Sequence, residues 1–134
     1  MPRQLIGSDC LTDAVPYHYA TAVTAVTGVR LVFSAGASPL DADGRVVAAG
    51  DILGQTRQSV ENLRIALQDA GCTQADVVKT TIFVASSSRD DLLLAWNEYE
   101  SAYGTDGPPS TLLGVAALGW PEQLVEIEAV AVRG

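Results

Sequence analysis

Residues 124–132, "LVEIEAVAV", constrain the fold more than any other stretch of the chain. Alternation with a period of two places Val125, Ile127, Ala129 and Ala131 on one face of a strand, and Leu124, Glu126, Glu128, Val130 and Val132 on the other. A strand that is apolar on both faces over its C-terminal half belongs inside a sheet. A carboxylate there meets either a polar partner or a water-filled cleft, because an unpaired buried charge is too costly. Two readings of Glu126 and Glu128 follow: a solvated rim or structural ion pairs, or a functional cleft.

Upstream, "YATAVTAV" and "RLVFSAG" read as strands joined at Thr27-Gly28, and "PLDADGRVV" carries an Asp-Gly turn suited to a hairpin with a short third strand. In "GDILGQTRQSVENLRIALQDAGC", Asp51 is a candidate N-cap, and Gly71 supplies the stop. Between them Thr56, Val60, Leu63, Leu67 and Ala70 recur at helical spacing. "DVVKTTIFVA" is β-rich, and from Ser88 a second helix carries Leu92, Trp96, Tyr99 and Tyr103 on one stripe as far as Gly104. "GTDGPP" is a loop, "STLLGVAAL" a strand, and "GWPEQ" a turn into the final strand. Residues 1–18 show no regular pattern and read as an irregular N-terminal segment.

This order predicts one α+β domain over residues 1–134, a mixed sheet with both helices on one face and the helical stripes in the core. The sheet's other face then needs cover. Val78, Ile82 and Val84 fall on one side of their strand while Val77 and Phe83 fall on the other, so a lone sheet would leave apolar area in water. Self-association answers that need.

The 134 residues are 48% apolar and 18% charged, enough for one core and unlike a disordered polyelectrolyte. Eight basic residues against sixteen acidic ones leave a net charge of −8. That opposes docking on phosphate backbones or anionic lipid, so neither nucleic acid nor membrane is expected as a partner. No stretch approaches the roughly 20 apolar residues needed to span a bilayer, and "MPRQLIGSDC" lacks a signal-peptide pattern. Cys10 and Cys72 have neither zinc-site nor disulfide-scaffold spacing, which suits a soluble, cytoplasmic protein.

His18 is the only histidine, which excludes a two-histidine acid/base pair or a His-rich metal site within one chain and reads as a surface residue. No phosphate-binding glycine loop is present, and neither a nucleotide cofactor nor a metal is expected. Ser86, Ser87 and Ser88 lack a positioned base and read as a loop and helix cap. Cys72 follows a helix C-terminus, where the dipole raises a thiol pKa, and reads as inert. What remains is Glu126, Glu128, Tyr17, Tyr19 and the backbone amides of "FSAGASP", a set suited to water-mediated acid/base work on a small molecule.

"RLVFSAGASPLDADGRVV", "QTRQSVENLRIALQDAGCTQADVVKTTIFV" and "LVEIEAVAV" together resemble the RidA/YjgF family, also called endoribonuclease L-PSP-like, from about Tyr19 to Val132. The resemblance implies a chorismate-mutase-like α+β fold, a homotrimer with its sheets packed inward, and clefts at the three subunit interfaces. It also implies cofactor-independent hydrolysis of reactive imines and enamines to ketoacids and ammonia. Glu126, the first carboxylate of "EIEA", then positions or activates water. Tyr19, a better match than Tyr17, lines the same cleft with Ala35 and Gly36 of "FSAGA".

Three positions depart from the family pattern. Ser110, in "PPSTLLGVAAL", stands where an arginine holds the substrate carboxylate; Ala35 and Ala37 stand where a serine and a glutamine flank the glycine. A guanidinium makes two charge-assisted hydrogen bonds of about 1.5–3 kcal/mol each, which one hydroxyl cannot replace. Free 2-imino acids are therefore expected to bind poorly, unless Arg30 or Arg89 enters from a neighbouring subunit. Three functions follow, in descending order: a RidA-like hydrolase of an imine, enamine or related electrophile; a noncatalytic metabolite-binding trimer; and a ribonuclease, which the acidity and single histidine disfavour.

Overall fold

The strand that carries both glutamates lies inside the sheet, as its two apolar faces require. The computed structural model describes residues 3–15, 18–24, 28–103 and 107–134. Its elements are β1 (Arg3–Ile6), β2 (Ala20–Thr24), β3 (Arg30–Ser34), α1 (Ile52–Asp69), a 3-10 turn (Gln74–Asp76), β4 (Val77–Val84), α2 (Arg89–Tyr103), β5 (Ser110–Gly114) and β6 (Val125–Arg133). The six strands form one sheet in the order β1-β2-β3-β6-β4-β5. Neighbours are antiparallel except β4 and β5, whose parallel pairing needs a crossover that α2 supplies.

Both helices cover one face, which makes this an α+β layer fold. Val125, Ile127, Ala129 and Ala131 are all buried there, against Leu63 and Leu67 of α1 and Ala95 and Tyr99 of α2. Leu63 is fully buried, and truncating such a leucine to alanine costs about 2–5 kcal/mol. Asp51 caps α1 by accepting a hydrogen bond from the Gly54 amide, and Gly71, at φ +85°, turns the chain out of the helix.

The opposite face has no cover among the described residues. By register Leu31, Phe33, Phe83, Leu113, Val130 and Val132 share it with Glu126 and Glu128. Phe33 and Leu113 are 43% and 44% exposed.

Several expectations change. The N-terminal segment is not wholly irregular: β1 pairs with β2, Ile6 opposite Ala20. The Asp43-Gly44 turn forms, but the short strand around it shrinks to a single bridge between Leu40 and Val46. The strand expected through "VAAL" stops at Gly114.

In β4, a bulge between Val77 and Lys79 shifts the register, so Val77 faces the core with Ala131 and Val78 is expelled to solvent, reversing their expected sides. The inward stripe of α1 is more polar than its aliphatic spacing suggests. Gln55, Thr56, Ser59 and Asn62 are buried there, while Val60 is only half-buried. Tyr17, Thr27 and Gly104, read as a cleft residue, part of a strand joint and a helix stop, lie outside the described residues.

Candidate active site

Alternation along β6 points Glu126 away from the helices, and the chain that crosses its N-terminal end decides its surroundings. After β3 the backbone runs antiparallel to β6: the Ala37 amide donates to the Ile127 carbonyl at 2.7 Å and the Ile127 amide to the Ala37 carbonyl at 3.2 Å. This brings Gly36 directly beneath the carboxylate. A β-carbon added to Gly36 would lie 2.5 Å from both Cδ and Oε2 of Glu126, so only glycine leaves room for the side chain as it stands. Glu126 Oε1 accepts from Ser38 Oγ and from Gln123 Nε2, each at 3.3 Å. The half-buried acid is thus not a solvated rim group, and it forms no ion pair among the described residues.

Tyr19 and Ala35 join the same neighbourhood. The Ala35 amide donates to the Tyr19 carbonyl at 2.7 Å, and the Tyr19 hydroxyl donates to the Thr12 carbonyl. Tyr19, Ala35, Ala37, Ser38 and Asn62 line a slot of about 10 Å³, roughly the space of one water. Ser38 links the slot to Glu126.

Ser110 is not brought to this cluster within the chain. It pairs in register with Thr80, on the helix-covered face, whereas Glu126 pairs with Phe83 on the open one. Its hydroxyl donates to the Pro108 carbonyl at 2.9 Å and lies 2.6 Å from Thr80 Oγ1 and 3.1 Å from the Tyr99 hydroxyl. The bond to Pro108 commits its one proton. Ser110 instead forms the floor of a groove of about 460 Å³ with Arg89, Leu92, Leu93, Trp96 and Leu112.

The endoribonuclease L-PSP profile matches residues 12–133. The chain belongs to that family, the RidA/YjgF proteins. It is 38% identical to a RutC family protein of Haemophilus influenzae over 91% of this chain and 94% of the other. It is 32% identical to the 2-iminobutanoate/2-iminopropanoate deaminase of Salmonella typhimurium, again over 91% and 94%. The structure of the YjgF gene product of Escherichia coli superposes with a TM-score of 0.76 at 26% identity, covering 98% of this chain and 99% of that one.

Within this RidA/YjgF frame the remaining candidates separate. Glu128 is exposed on the open sheet face, where it lines a hollow of about 250 Å³ with Lys79, Ser34 and Phe33. His18 is exposed. Burial pushes the Cys72 thiol up, with Asp76 adding to the rise, so the rise comes first from desolvation rather than from the helix end. Among the described residues no three His, Cys, Asp or Glu side chains cluster as a metal would need, and no helix is long and apolar enough to cross a membrane.

Four residues around Glu126 escaped the sequence reading: Ser38, Gln55, Asn62 and Gln123. A signal existed, since Gln55, Ser59 and Asn62 recur at spacings of four and three on the helix face that also carries Leu63. Gln123 carried none, because a glutamine in a turn is ordinary until its partners are known.

Proposed function

We propose that the chain hydrolyses a small imine, enamine or related electrophile lacking a free carboxylate, with Glu126 as general base, in clefts between the copies of a homotrimer. The observation that carries this reading is the Glu126 carboxylate, half-buried, held through Oε1 by two donors and seated on Gly36 at Oε2. The deaminase name of the Salmonella typhimurium relative supports the reaction class.

Glu126 takes a proton from water as the oxygen adds to the imine carbon and returns that proton to the nitrogen, which gives the carbinolamine. The carbinolamine then collapses: Glu126 takes the hydroxyl proton and delivers it to the nitrogen as the C–N bond breaks, so ammonia leaves and a carbonyl remains. The sum is R₂C=NH + H₂O → R₂C=O + NH₃.

The homotrimer is supported by two features. The open sheet face carries exposed Phe33 and Leu113, which association would bury. The groove at Ser110 lies apart from Glu126 in one chain, and a cleft between copies would let one chain's carboxylate face another's groove. The substrate class follows from the groove. Leu92, Leu93, Trp96 and Leu112 favour an apolar group, and the engaged Ser110 hydroxyl offers a carboxylate nothing.

Imines released in situ by an amine oxidase from 2-phenylethylamine should turn over faster than 2-imino acids released by an amino-acid oxidase from L-leucine. Glu126→Gln should lower kcat by about 10²-fold or more, the usual weight of a general base, while sedimentation still reports a trimer. Equal turnover by wild type and Glu126→Gln would sink the reading.

The second reading is a noncatalytic metabolite-binding trimer, favoured by the apolar groove. Thermal stabilisation by aryl ketones with no imine turnover would establish it.

A further inference from the structure

We infer that Ser38 and Gln123 are positioning residues that saturate Oε1 of Glu126 and thereby leave Oε2, above Gly36, as the oxygen that meets water; the inference rests on Glu126 being the base. Both residues are almost fully buried, at 6% and 4% exposure, so their hydrogen bonds face no competition from bulk water. The direction of the bonds is forced. The Gln123 amide nitrogen can only donate, and it lies 3.1 Å from Ser38 Oγ and 3.0 Å from the Val125 carbonyl. Its two protons serve three acceptors, the Val125 carbonyl, Ser38 Oγ and Glu126 Oε1, so one proton is shared between Ser38 and Glu126, and the Ser38 hydroxyl proton goes to the carboxylate, which can only accept.

The clamp is itself held by α1. Asn62 Nδ2 donates at 2.9 Å to the Ser38 and Leu40 carbonyls and fixes the loop that carries Ser38. Gln55, fully buried, donates to the Glu122 carbonyl at 2.9 Å and accepts from the Leu124 amide at 2.6 Å, so it grips the backbone on both sides of Gln123. Glu122 sits at φ +65°, a strained value for a residue with a β-carbon, and the Gln55 bonds offset that strain. The Trp120 amide closes the turn onto Gln123 Oε1 at 3.1 Å. Oε2 has no hydrogen-bond partner among the described residues. A carboxylate anchored at one oxygen and open at the other presents a single basic position in a single orientation.

The test uses the trimer as purified, with the imine released from 2-phenylethylamine, and compares Ser38→Ala and Gln123→Leu with wild type and Glu126→Gln. Loss of orientation should lower kcat by about tenfold or more with KM within about twofold, since misplacement by an ångström costs turnover rather than affinity. A crystal structure of Ser38→Ala should show the Glu126 carboxylate displaced from Gly36. Ser38→Ala alters one atom, so it remains informative if Gln123→Leu, which also strips partners from Trp120 and Val125, fails to fold. Wild-type kcat in Ser38→Ala while Glu126→Gln is inactive would overturn the clamp and leave the base standing; a raised KM at unchanged kcat would overturn it as well. Full activity of Glu126→Gln would overturn both.

Discussion

Around Glu126 the neighbouring groups are small or polar: Gly36, Ser38 and Gln123, with Asn62 behind them and a slot of about 10 Å³ beside them. The groove at Ser110 is wide and apolar, about 460 Å³ lined by Trp96 and three leucines, with Arg89 at its edge. One region has the hydrogen bonds to fix a reacting group and no room for a substrate; the other has the room and almost no hydrogen bonds to give. On the proposed reading, orienting the base and recognising the ligand are separate tasks on this chain, carried on opposite faces of one sheet.

The contrast breaks most readily at Gly36. In Gly36→Ala the new β-carbon strikes the end of a flexible side chain, so the fold yields by swinging the carboxylate away. Steady-state kinetics should show kcat down by about 10–100-fold, with the melting temperature almost unchanged. An active enzyme with a lower melting temperature would contradict the assignment.

Trp96→Ala sharpens the other half. Losing an aromatic wall should raise KM for the 2-phenylethylamine-derived imine about tenfold, within the range an apolar pocket contributes, with a smaller effect on kcat. It should also lower stability somewhat, because Trp96 packs 5.5 Å from the Tyr99 ring. A fall in kcat at constant KM would show that the groove is not a recognition surface.

Asp76 belongs to neither region and serves as the control. The Thr73 amide, and after it the Arg133 guanidinium, hold its carboxyl below the usual range. A depressed carboxyl contributes stability above its unfolded pKa and loses it as pH falls through the folded value. Asp76→Asn should therefore lower the melting temperature at pH 7 by only about 1–2 °C, as a solvent-screened surface pair does, with no change in kcat or KM. Calorimetry should show that difference fading below the ordinary aspartate pKa of about 3.9.

Much of the fold was legible because its signals are local. The Asp51 cap, the Gly71 stop, the two helices and the two faces of β6 all follow from residues within a few positions of one another. The outward direction of Glu126 was legible for the same reason. The bulge in β4 was not, since β-branched residues fill both sides of that strand and alternation alone cannot show where one residue drops out. The buried polar row of α1 was obscured by the leucines interleaved with it.

By itself the sequence determined the two helices and the longer strands, that one central strand exposes a carboxylate on a face it shares with apolar residues, and that this face needs a cover. Tertiary structure alone decided that Glu126 is clamped and that Ser110 turns to the other side. The reason is range: backbone periodicity acts over a few residues, whereas Ser38 reaches Glu126 across 88 positions and Gln55 reaches Glu122 across 67. A polar side chain's partner is set by which distant segments packing brings together.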